Sequence, residues 1–149
     1  MASRYGLEIR AATAADAAGL AALFQASGQS IAVSDLAERL EALRLGSGTA
    51  LIAVEWGPPS GLVVLHWYRS LTAAQPVAQI TGLLVGPDER RRGIGRLLLK
   101  AASQAARMAG CTTLELAAAP GEETLPAFCD STGFERVGSL FTRPLRKKS

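Results

Sequence analysis

Apolar positions recur along this chain in two rhythms, and the switches between them mark its elements. Leu7-Glu-Ile-Arg10 alternates as a short strand does, with neighbouring side chains on opposite faces. Thr13 then stands where a helix N-cap is expected, and Asp16 fills the acidic place of a capping box. The Ala/Leu-rich run to about Ala26 is predicted helical. A second helix is predicted to open at Ser34, with Leu36, Leu40 and Leu43 on one face and Glu38, Arg39 and Glu41 elsewhere. Gly46-Ser-Gly48 ends it.

Thr49–Trp56 and Leu62–Arg69 read as strands joined by the turn Gly57-Pro-Pro-Ser-Gly61. Val77–Val85 is a further strand, and Gly82 within it predicts a bulge or a close backbone approach. A long helix follows Gly93, with Ile94, Leu97, Leu98, Ala101, Ala105 and Met108 at helical spacing and Gly110 as its stop. Thr112–Ala118 reads as a strand, Thr124–Thr132 as a short helix and Phe134–Thr142 as a last strand. The order is β-α-α-β-β-β-α-β-α-β. It predicts an α/β chain with a mixed sheet, in which hairpins come early and crossover helices late.

Composition narrows the class. The 149 residues fit one domain, spanning 1–149, and 48% hydrophobic with 19% charged residues is ordinary globular usage. Cys111 and Cys129 form no CxxC pair, and His66 cannot complete a zinc site with them, so no metal is expected. Free thiols, and the lack of any long apolar run or leader-like start, predict a reduced cytoplasmic protein without membrane contact. Net charge is +3. Arg143, Arg146, Lys147 and Lys148 read as part of a flexible basic tail over 143–149.

The second basic cluster is different, because glycines run through it. Val85 is followed by Gly86-Pro-Asp-Glu and then Arg90-Arg-Arg-Gly-Ile-Gly95-Arg96 at the start of a helix. The first amides of a helix lack intrahelical acceptors, and the helix dipole favours an anion there. Gly93 and Gly95 let a phosphate approach the backbone, while Arg90, Arg91, Arg92 and Arg96 add charge. Neither GxxxxGK[ST] nor GxGxxG is present. With few aromatics among the arginines and no nucleic-acid motif, a nucleic-acid partner is not expected.

This segment resembles the coenzyme A signature of the GNAT family of N-acetyltransferases, an Arg or Gln, two residues, Gly, one residue, then Gly or Ala after a strand. Ala127-Phe-Cys-Asp-Ser-Thr-Gly-Phe134 is similar to the family's second hallmark, and Ile9-Arg-x-Ala-Thr13 to its entry. The resemblance implies the GNAT fold, with acetyl-CoA as cosubstrate and no metal. It also implies direct transfer of an acetyl group to a primary amine of a small molecule or peptide, in a chain that can form a homodimer as relatives do. Backbone groups of Leu83 and Val85 would pair with the pantetheine arm, and an amide near Leu84 would face the thioester oxygen. The amides from Arg91 through Gly93, Ile94 and Gly95 to Arg96 would hold the pyrophosphate. The strands Val77–Val85 and Thr112–Ala118 would splay around the thioester.

For proton transfer the resemblance singles out two residues. Glu115, between Leu114 and Leu116, matches a general-base glutamate of some relatives; its other reading is an exposed strand glutamate. Relatives with an acid in the preceding strand have it where this chain has Gln79 and Thr81. Cys129 stands where the family's proton-donating tyrosine is usual; its other reading is a small buried apolar residue. Ala117-Ala-Ala-Pro-Gly121 lacks the asparagine that often contacts the coenzyme. His66, Trp67 and Tyr68 lie near the family's acceptor region, or simply pack. These departures leave a second reading, an acetyl-CoA-binding domain of weak or no activity with a regulatory role. Acceptor identity is not encoded legibly: Glu38, Glu41, Glu122 and Glu123 are too scattered to predict a pocket for a polycation.

Overall fold

A computed structural model of the chain describes residues 6–89, 93–117 and 125–145. The first of two compact units ends at Leu116 and holds a five-stranded sheet ordered β1-β2-β3-β4-β5. β1 (Glu8–Ala11), β2 (Gly48–Val54), β3 (Gly61–Tyr68) and β4 (Val77–Val85) pair antiparallel in succession. β5 (Thr113–Leu116) joins β4 in parallel, because α3 (Ile94–Met108) carries the chain back between them as a crossover. The mixed α/β sheet expected from the sequence is thus present.

One face of the sheet is covered by α1 (Ala17–Ala26) and α2 (Val33–Leu45). Leu20, Leu23 and Leu36 from these helices pack with Ala50, Ile52 and Leu62 of the sheet. Leu20 and Ile52 are 1% and 0% exposed, and burying each such side chain contributes about 1.5–3 kcal/mol. α3 packs against the sheet from strands β1 to β4, and Ala53, Val63, Leu65, Ala78 and Ile80 are buried there.

The buried stripe of α3 differs from the predicted one. Ile94, Leu98, Leu99, Ala102 and Ala106 are buried, whereas Leu97 is 40% and Met108 82% exposed. An Ala-rich helix has apolar residues on more than one face, so spacing alone admits two stripes and the sheet selects one. Ser34 also falls inside α2, whose N-cap is Ala32.

Entry into α1 is held more firmly than a cap requires. The Thr13 N–H donates to Asp16 Oδ2 at 2.8 Å, as the capping box predicts. Arg10 at the end of β1 adds two bonds, Nη2 to Asp16 Oδ1 at 2.8 Å and Nη1 to Oδ2 at 2.9 Å. The Arg10 hydrogen bonds, aided by Thr13, hold the Asp16 carboxyl below the usual carboxylate range, although burial opposes them.

The second unit, from Ala117, contains α4 (Leu125–Ser131). The predicted strand Phe134–Thr142 does not form. A strand exists only through ladder bonds to a neighbour, and none are made there; Val137, Leu140 and Phe141 are 86%, 67% and 91% exposed.

Candidate active site

β4 changes character at its middle. Val64 of β3 is opposite Gly82, but the next residue, Leu65, is opposite Ile80, so Thr81 is an extra residue on β4. This bulge lies beside the glycine that predicted it. Upstream, Val77–Ile80 pairs with β3 on one edge and β5 on the other. Among the described residues the β5 ladder ends at Ile80 opposite Leu116, leaving Gly82–Val85 paired only with β3.

Backbone direction can be assigned in that second half. Gly86 N–H donates to Ser60 O at 2.9 Å, so Gly86 points toward β3. Peptide groups alternate sides along a strand, so Leu84 also points toward β3, while Leu83 and Val85 turn theirs to the edge away from it. The side chain of Leu84 packs on the core under α1 and α2.

That edge leads into the first turn of α3. Gly93, its N-cap, has φ +76°, a left-handed conformation that glycine adopts without penalty. The helical ladder opens with Leu97 N–H donating to Gly93 O at 3.1 Å, so the amides of Ile94 and Gly95 lie ahead of it. Ile94 is 1% exposed, so only its amide is available to a ligand. Gly61 lets this turn sit close to the sheet: a Cβ there would lie 2.8 Å from Leu98 Cδ1 and 2.9 Å from Ile94 Cγ2. Arg96 is exposed on the same turn. Arg90, Arg91 and Arg92 lie outside the described residues, as do residues 118–121 of the Ala117–Gly121 departure.

The face under α1 and α2 carries a polar row. Gly48, His66, Gln79 and Glu115 are in register across β2, β3, β4 and β5, and residues in register share a face. Gly48 leaves room for the imidazole, since a Cβ there would be 3.3 Å from His66 Nδ1. Tyr68, two positions beyond His66, reaches diagonally across β4 and donates its hydroxyl to Glu115 Oε1 at 3.1 Å. This hydrogen bond, with lesser help from desolvation and the carboxylate charge, raises the Tyr68 pKa and keeps the phenol protonated. Glu115 Oε2 makes no hydrogen bond among the described residues. Trp67, in the middle of the predicted aromatic trio, faces the α3 side instead.

Sequence reading picked out Glu115 and His66 but not their shared row, and it missed the Tyr68–Glu115 bond. Alternation alone places His66 and Tyr68 together; register with β5 needed the exact place of the bulge at Thr81, which Gly82 marks only to within a residue. Cys129 lies on α4 in the second unit, where burial, then the charge of Asp130, pushes its thiol pKa up. Groups of three or more His, Cys, Asp or Glu able to hold a metal are absent among the described residues.

Comparison with known proteins bears on the family and the fold. The Acetyltransferase (GNAT) family profile matches residues 17–134. No curated protein matches. Among solved structures, a candidate acetyltransferase from Agrobacterium tumefaciens C58 is 26% identical with a TM-score of 0.81, covering 93% of this chain and 99% of that one. The aminoglycoside antibiotic 6'-N-acetyltransferase AAC(6')-IG of Acinetobacter haemolyticus is 20% identical with a TM-score of 0.77, covering 95% and 99%. AAC(6')-Iy in complex with the bisubstrate analogue CoA-S-monomethyl-acetylneamine gives 21%, 0.78, 95% and 99%. With the profile spanning most of its length, this chain belongs to the GNAT family of acetyltransferases.

Proposed function

We propose that the chain is an acetyl-CoA-dependent N-acetyltransferase that acetylates a primary amine by direct attack in a ternary complex. One observation carries the reading: an open strand edge, Thr81–Val85, runs into the glycine-started helix α3, with the Glu115 row beside it. The relative crystallised with a CoA-linked bisubstrate analogue supports coenzyme and amine binding side by side.

Bound acetyl-CoA supplies a thioester carbonyl, whose C–S bond breaks as the amine nitrogen bonds to carbon. The edge-turned groups of Leu83 and Val85 suit an extended pantetheine arm, and an amide on this edge would stabilise the negative charge on the carbonyl oxygen. The amides of Ile94 and Gly95, with the arginine-rich turn before them, suit a pyrophosphate. Glu115 accepts the amine proton through Oε2 while Tyr68 holds Oε1. The pKa of Cys129, raised by burial and then by the charge of Asp130, favours the neutral thiol over a nucleophilic thiolate.

Titration calorimetry with acetyl-CoA on wild type and Gly95→Val tests the coenzyme site. Binding that the variant loses, followed by thiol release with an amine panel, is expected. A folded wild type that does not bind acetyl-CoA overturns the reading.

A further inference from the structure

The acceptor side of the polar row ends in a cavity that the roles above do not use. It has a volume of about 230 Å³ and lies between α1, α2 and the sheet. Phe24, Leu40, Leu43, Ala50 and Val64 are among its apolar walls, and the exposed His66 and Arg39 are its polar lining residues. An apolar cavity of about 150 Å³ is enough to take up benzene, so this one has room for a ring.

We infer that this cavity receives the hydrophobic body of the acceptor, so that the substrate class is a primary amine bearing one compact apolar group, such as an arylalkylamine. The inference rests on the acetyl-transfer reading above. His66 connects the two regions, because it lines the cavity and stands in register with Gln79 and Glu115. β3 and β5 are about 10 Å apart, two strand spacings. The Glu115 carboxylate shortens that gap by reaching back to Tyr68 of β3 at 3.1 Å. A short linker therefore joins an amine at Glu115 to a ring behind His66.

The same lining tells against a polycation. Among the described residues no carboxylate borders the cavity, Arg39 places positive charge there, and the nearby Glu41 is held by Arg44 at 2.5 Å. Sugar hydroxyls buried against leucines would lack partners, which is costly.

The test uses the full chain with CoA present and 2-phenylethylamine as probe, followed by titration calorimetry and by acetyl transfer. We expect saturable binding and a kcat/KM at least about tenfold above that for ethanolamine or an aminoglycoside. Ala50→Leu, which fills the cavity, lowers the phenylethylamine value by about tenfold while acetyl-CoA affinity is kept. Val64→Thr, equal in size but polar, does the same and covers the case in which the larger side chain prevents folding. Equal or better use of ethanolamine or the aminoglycoside overturns the inference and leaves the acetyltransferase reading standing. A variant that changes acyl-chain preference but not amine preference overturns it too, by assigning the cavity to the acyl group. Failure of acetyl-CoA to bind removes the acetyltransferase reading, while the phenylethylamine titration still shows whether the cavity takes the ring.

Discussion

Val77–Ile80 and Thr81–Val85 are halves of one strand, yet among the described residues the first is bonded along both edges and the second along one. In the first half, Ala78 and Ile80 are 0% and 3% exposed, so these two side chains belong to the core. Leu83, Leu84 and Val85 are only partly buried, and Leu83 and Val85 turn their peptide groups to the edge away from β3. The contrast shows that one strand can be paired on both edges before the extra residue at Thr81 and, among the described residues, on a single edge after it. Stability and function should separate along the same division.

The largest expected effect is that of Glu115→Gln on β5, which the proposed function makes the base. If it is the base, kcat falls by about 10²–10⁴ with acetyl-CoA affinity retained, measured by steady-state kinetics and calorimetry. A loss below about threefold would return Glu115 to an ordinary strand position. Next in size is Ile80→Ala, expected to lower unfolding free energy by about 2–5 kcal/mol in a denaturant titration. Leu84→Ala, in the open half, should cost clearly less, and an equal cost would break the comparison. Gly95→Val should weaken acetyl-CoA binding about 10- to 100-fold, as expected if one or two charge-assisted hydrogen bonds are lost. Its urea midpoint should move little.

The smallest effect lies far from β4 and serves as a control. Asp16 has a folded pKa below its unfolded value, so its pairing with Arg10 stabilises fully above the ordinary carboxylate pKa near about 4. That contribution is lost as pH falls through the lowered folded value. Asp16→Asn should cost about 1 kcal/mol at neutral pH, discounted for the partly exposed pair, and flatten the melting curve's pH dependence below about pH 4. Acetyl-CoA binding should not change.

Much of this was legible because local chemistry decided it. The Thr13–Asp16 box, the glycine stop at Gly110 and the bounds of β4 depend on neighbours in sequence. The parts that were missed depend on distant partners. Which stripe of α3 is buried was chosen by the sheet, and the strand read into Phe134–Thr142 had no ladder to join. The candidate site was half visible for the same reason: Gly93, Gly95 and Glu115 announced themselves by residue type. The alignment of His66 with Gln79 and Glu115 required a register set by the bulge.

That bulge also bears on solubility. An unpaired strand edge is a template on which another chain can add a strand, and proteins blunt such edges by keeping them short, twisted or covered. The open half of β4 is short and begins at a bulge, which sharpens local twist and spoils a long regular pairing. The bulge that divides the strand therefore also discourages edge-to-edge aggregation along its singly paired half.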